Sequence, residues 1–201
     1  HVHNVLYDPE RLERRFALFE MLCLRSLAMQ RDTGFQVGIL VGDSLPEYAR
    51  ARLVEMLDGF PNAKLITLPP LEHYTATVRA FKQMPDVEGS EFPVTFRLDD
   101  DDAMHADTVG RLREVAQTIL PLRNLQDPLA IAFNRGFYFD LSNPEKMITE
   151  CFEKTPLGVG MALVAPAGSR QNVFRRNHRA AGQHFNCYTE INKPMFIRTV
   201  H

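Results

Sequence analysis

The residues best able to do chemistry in this 201-residue chain are four consecutive carboxylates, Asp99, Asp100, Asp101 and Asp102. They close the run Val94 to Leu98 (VTFRL), whose β-branched and aromatic content reads as a buried strand. Two like charges about 4 Å apart repel by roughly 1 kcal/mol in water and by about 4 kcal/mol at an effective dielectric of 20. A partly buried cluster of this kind needs a cation, raised pKa values or generous solvation. Oxygen ligands suit Mg2+ or Mn2+, which keep waters and bind substrate phosphates besides one or two carboxylates. The alternative is a solvated acidic turn, with Asp102 or Asp107 capping the next helix. Its place directly after a strand favours a ligand site, because α/β sheets gather ligands outside the carboxyl ends of their strands.

The flanking sequence supplies the elements that would position such a site. Asp8-Pro9 reads as an N-cap and first helical turn, and Leu12, Phe16, Phe19, Cys23 and Leu27 follow at helical spacing, predicting a helix near 9–30. Phe35 to Val41 predicts a buried strand, and Ser44 and Pro46 open a helix carrying Leu53, Val54, Leu57 and Phe60. Ala63 to Leu68 predicts another strand, and a weaker helix covers Tyr74 to Gln83. Beyond the acidic run, Val109, Leu112, Val115, Ala116 and Ile119 mark a helix. This alternation predicts a single α/β domain with a largely parallel central sheet and helices on both faces. After Leu129 it gives way to strand-like runs (LAIAF, GFYFDL, GVGMALVAP), which predict mixed C-terminal strands, and Gly168 to Asn186 reads as a polar loop.

Composition narrows the class. The chain is 45% hydrophobic with a formal net charge of -2, which offers no general attraction for nucleic acid or acidic membranes. No apolar stretch reaches the ~20 residues of a transmembrane helix. Cys23, Cys151 and Cys187 form neither a CxxC site nor a disulfide framework, and they read as small buried hydrophobes in a cytoplasmic protein. Peripheral membrane attachment stays open.

The run LDDDDAM resembles the DxD motif of GT-A glycosyltransferases, which bind nucleotide-diphospho-sugars. More widely, the chain resembles the bacterial putative rhamnosyltransferase family in LYDPERLERRFALFEMLCLRSLAMQRDTGF, the GDSLP turn, RLDDDDA, AFNRGF and PMFIRTVH. The resemblance implies a GT-A-like fold and metal-dependent transfer of a sugar, with rhamnose the candidate, from a dTDP- or UDP-linked donor. The acceptor it implies is a saccharide or lipid-linked saccharide in bacterial surface polysaccharide assembly. It also implies truncation at both ends, because a strand carrying an Arg-Phe pair precedes the first helix in that family. Asp99 would face the donor ribose, Asp101 would ligate the metal with Asp102 assisting, and Asp100 could replace a neighbour. His201 would be a third metal ligand, with a surface histidine as the equal alternative.

Around these, Arg97 alternates with Asp99 and either orients the carboxylates and donor or makes a structural ion pair. Glu190, with Asp140 behind it, is the candidate base for deprotonating an acceptor hydroxyl. Arg175, Arg176 and Arg179 offer a diphosphate clamp or an ordinary charged loop. His178 and His184 read more readily as solvated loop residues than as substrate contacts. Asn134-Arg135-Gly136 reads as a hairpin turn in preference to a close backbone approach. Two other functions remain: a metal-dependent nucleotidyltransferase or phosphohydrolase, and an inactive nucleotide-sugar-binding module. No GxxxxGK[ST] phosphate loop supports the first of these.

Overall fold

A computed structural model describes residues 7–85, 90–169 and 171–200. Helix α1 (Pro9–Leu18) starts where expected, with the Asp8 side chain accepting from the Arg11 amide and proline in the first turn. It runs through a π-helical segment, Phe19–Leu24, into α2 (Arg25–Ala28). Leu12, Phe16, Phe19, Cys23 and Leu27 form one buried stripe, as their spacing requires.

That stripe packs towards β1 (Val37–Gly42) and α3 (Glu47–Leu57), whose Ala49 and Leu53 are buried with it. β1 pairs in parallel with β2 (Ala63–Leu68), and α4 (His73–Phe81) packs on both strands. β1 is not buried on both faces as its apolar run suggested. It alternates partly buried and exposed positions, and Leu40 is exposed.

Two further sheets complete the domain. The first has the order β3 (Val94–Phe96), β8 (Ala162–Val164), β5 (Leu129–Phe133) and β9 (Asn186–Glu190). The second has the order β4 (Ala103–Met104), β10 (Phe196–Val200), β6 (Arg135–Asp140) and β7 (Ile148–Phe152). Pairing is parallel at β5–β9 and β6–β10, and antiparallel at β3–β8, β5–β8, β4–β10 and β6–β7. The mixed character predicted for the C-terminal strands thus extends to the strand before the acidic run.

Helix α5 (Thr108–Ile119) places Leu112, Val115 and Ala116 in one core with Leu129, Ile131 and Phe133. The opposite face of that sheet, Ala130 and Ala132, is covered by Val173 and Ala181. A loop with the short 3-10 helix His178–Gln183 therefore lies where a second helical layer was expected. Cys23 and Cys151 are buried as anticipated, whereas Cys187 is exposed.

The segment Asn134-Arg135-Gly136 is not a hairpin turn. β5 and β6 belong to different sheets, and buried Asn134 is where the chain passes from one to the other. Its amide donates to the Glu190 carbonyl at 2.8 Å, and its carbonyl accepts from the Glu153 amide at 2.7 Å. Gly136 is required by the neighbouring strand, since a Cβ there would stand 2.5 Å from the Phe196 ring. Gly136→Ala should therefore lower unfolding stability by about 1–3 kcal/mol through overpacking. Chemical denaturation checks this, and adding Phe196→Leu should recover part of the loss.

Candidate functional site

The chain crosses between the two four-stranded sheets repeatedly along one seam: β3 to β4, β5 to β6, and β9 to β10. Residues 97–102 form the first crossing, so the acidic run leaves the carboxyl end of β3 and enters the seam. Main-chain hydrogen bonds fix it there. The Arg97 amide donates to the Met161 carbonyl at 3.0 Å, and the Gly160 amide returns to the Arg97 carbonyl at 3.0 Å.

Each aspartate of the run has its own setting. Asp99 is exposed and accepts from the Arg97 guanidinium at 2.9 Å. Asp100 is gripped by Arg15 of α1 through two nitrogens, with Nε at 2.9 Å from Oδ2 and Nη2 at 2.6 Å from Oδ1. The carbonyl of Asp101 accepts from the Thr199 hydroxyl. Asp102 is 4% exposed and accepts from the Thr199 amide at 2.9 Å. Burial pushes the Asp102 carboxyl up to about 7, against the lowering effect of that amide. The run is thus neither a solvated turn nor a cap. Asp107 holds the N-cap position of α5 without a capping bond and pairs instead with Arg31 and Lys193.

Arg97 lies between the run and the polar loop. Its guanidinium stacks over Phe174 at 5.0 Å, and its buried Nε has no hydrogen-bond partner. His178 comes to the same place, close to Gly158 and Arg97, and its Nε2 is buried without a partner. Burial, then the charges of Arg97, Arg179 and Arg198, hold its pKa below the usual imidazole value. His178 is therefore not the solvated loop residue its surroundings in sequence suggested. His184 is exposed beside Phe185, Arg175 stacks over Tyr74 at 5.1 Å, and Arg175, Arg176 and Arg179 are all exposed.

Glu190 has a structural partner. Its carboxylate is 4% exposed and accepts from Arg111 Nε at 2.7 Å. β9 lies three strand spacings from β3, about 14 Å at the usual separation. Asp140 accepts from the Ser142 amide and hydroxyl, which hold its pKa below the ordinary carboxylate value. His201 lies outside the described residues. Arg15 and Arg198 escaped the sequence reading. Nothing local to α1 marks Arg15 as the partner of a residue 85 positions away. Arg198 did leave a signal, as a lone cation inside an apolar strand.

Over residues 2–201 the sequence matches the family described as "Putative rhamnosyl transferase". The chain belongs to that family. Among solved structures, this chain is similar to S. aureus TarS, a glycosyltransferase, with a TM-score of 0.54 and 14% identity. The match covers 90% of this chain and 34% of TarS. The likeness shows the fold, which is GT-A-like. No curated protein matches the family member in sequence. No described helix is long and apolar enough to cross a membrane.

Whether the run suits a divalent cation can be judged from its donors. Asp100 is committed to Arg15, and one oxygen of Asp102 to an amide. The described residues gather no set of three His, Cys, Asp or Glu side chains. Mg2+ and Mn2+ take one or two carboxylates and complete the rest with water and phosphate, and a site of that kind here would draw on Asp101 and the second oxygen of Asp102.

The Asp102 shift has a measurable consequence without metal. The folded state holds a proton that the unfolded chain releases, so this group's contribution to stability is complete below the ordinary carboxylate pKa. It is lost as pH rises through about 7. In chelator-containing buffer, Asp102→Asn should gain stability over wild type between about pH 4 and pH 8, by roughly 2–4 kcal/mol. Urea denaturation across that range checks it, and a constant difference would contradict it.

Proposed function

We propose that this chain is the catalytic domain of a metal-dependent glycosyltransferase, moving a sugar from a nucleotide-diphosphate donor to a saccharide acceptor. Family membership and the GT-A-like fold support glycosyl transfer. One observation carries the reading. A DxD-type run is held at a sheet seam by main chain and arginines, with carboxylates left at the rim.

In this reading Arg97 orients Asp99, which meets the nucleoside ribose. Asp101, with Asp102 assisting, holds Mn2+ or Mg2+ against the donor diphosphate. The cation, once bound, offsets the charge that develops on the departing diphosphate. Arg15, beside Asp100, adds positive charge at the same rim. A rhamnose donor linked to dTDP or UDP is the specific proposal that the family's description supports.

A ligand that binds only the folded state stabilises it by about 2.7 kcal/mol at one hundred times its Kd. UDP or dTDP should raise the melting temperature when Mn2+ is present, and Asp101→Ala should abolish most of that gain. If neither nucleotide gives a metal-dependent shift in wild type, the proposal fails.

Glu190→Gln tests the status of the buried carboxylate. As a structural partner of Arg111, its replacement should cost about 1–3 kcal/mol of stability and leave donor hydrolysis by the folded protein unchanged. A hundredfold fall in kcat at unaltered stability would instead make it the base.

A further inference from the structure

An open cleft of about 610 Å3 lies on the second sheet, lined by Tyr138, Thr149, Asn143, Lys146, Arg198 and Asp140, with Thr199 and Val200 at its edge. Register explains its composition. Arg198 of β10 stands beside Tyr138 of β6, which stands beside Thr149 of β7, so the three share one face. Val200 and Asp140 form the next row of that face.

The cleft sets two cations, Arg198 and Lys146, against one carboxylate, Asp140. Arg198 is half-buried on an interior strand, yet its guanidinium makes no ion pair or hydrogen bond with the described residues. Removing a cation from water without a partner is costly, and strands rarely retain one idle. The Lys146 ammonium is likewise unpaired among the described residues, and Asn143 uses its Oδ1 on the Lys146 amide, leaving its Nδ2 donor unused. Ser142 already occupies one oxygen of Asp140, and the Tyr138 hydroxyl donates to Glu153.

We propose that this cleft binds an oxyanion carried by the acceptor, a phosphate or carboxylate gripped by Arg198 and Lys146. Guanidinium matches such groups through paired hydrogen bonds, and ammonium adds a point charge. The cleft is tied to the acidic run through β10, because the residue after Arg198 is Thr199, whose amide and hydroxyl hold Asp102 and Asp101. An anion seated there would rest on the strand that anchors the proposed donor rim. The assignment to the acceptor rests on the transferase reading. The oxyanion site itself does not.

The test titrates the 201-residue chain with inorganic phosphate and with glucuronate, following backbone amides by NMR, with UDP and Mn2+ present. Wild type is compared with Arg198→Gln and Lys146→Gln, and unfolding stability is measured for each. The expected result is binding that shifts the amides of Tyr138, Thr149 and Val200 and weakens about tenfold in each variant, as loss of a charge-assisted hydrogen bond implies. Binding of UDP with Mn2+ should be unchanged in Lys146→Gln, which guards against misfolding in the Arg198 variant.

A second arm uses phosphatidylcholine vesicles with or without phosphatidic acid. Binding confined to the acidic vesicles, and lost in both variants, identifies a lipid-borne phosphate as the source. Binding of soluble anions alone identifies a saccharide-borne group. The proposal is overturned if no oxyanion binds, or if binding ignores both substitutions. Phosphate that competes with UDP also overturns it, since the cleft would then belong to the donor. Phosphate binding here without any UDP binding would sink the transferase reading and leave the oxyanion site standing.

Discussion

The hydrogen bond from the Thr199 amide to the Asp102 carboxylate is the constraint around which the site is arranged. It crosses the seam between the crossing from β3 and strand β10, joining positions 97 apart in sequence. Asp102 is buried and leans towards its neutral form, so the amide is what permits a carboxylate there at all. The neighbouring bond from the Thr199 hydroxyl to the Asp101 carbonyl fixes the backbone of the run in the same step. One threonine thereby sets the register of the acidic rim against the strand that also carries Arg198.

Four adjacent aspartates pose an electrostatic problem, and the fold answers much of it with its own groups. Arg97 meets Asp99, Arg15 meets Asp100, and Asp102 is relieved by an amide and a raised pKa. The two arginine pairs are partly exposed, and pairs of that kind contribute about 0–1 kcal/mol each. Their value is local charge compensation and orientation more than stability. In the proposed reading, a divalent ion serves less to relieve mutual repulsion of the carboxylates than to meet the diphosphate that would approach them.

Much of the architecture was legible because hydrophobic spacing reports burial directly. The first helix, the strand Ala63–Leu68, the helix Thr108–Ile119 and the strand Leu129–Phe133 lie where their apolar periodicity puts them. The strand Ile148–Phe152 was not legible. It lies at a sheet edge with Ile148 and Phe152 exposed, so its pattern carries little burial signal. The acidic run stood out in the sequence as a candidate because four like charges after an apolar run are unusual in any setting. Its partners were not legible, since Arg15 and Thr199 reach it through tertiary structure that no local pattern encodes. The favoured hairpin at Asn134-Arg135-Gly136 failed for a related reason. A two-residue apolar-to-apolar connection looks the same whether the chain turns back or passes into a second sheet.

That passage also explains how rigid the site can be. Along the seam the main chain bonds to itself: Met195 to Arg135 at 2.9 Å, His105 to Met195 at 2.9 Å, Asn134 to Glu190 at 2.8 Å and Glu153 to Asn134 at 2.7 Å. These bonds survive most side-chain replacements, because both partners are backbone groups. The exposed Asp99 carboxylate hung on such a frame can be exchanged without loss of a main-chain contact, so loss of ligand binding on replacing it reports chemistry. Asp102 differs, being buried and tied to β10 by its side chain, and only there do site and fold draw on the same contact. The separation follows from where the run sits: it begins at the surface with Asp99, and its last residue faces inward and is tied to β10.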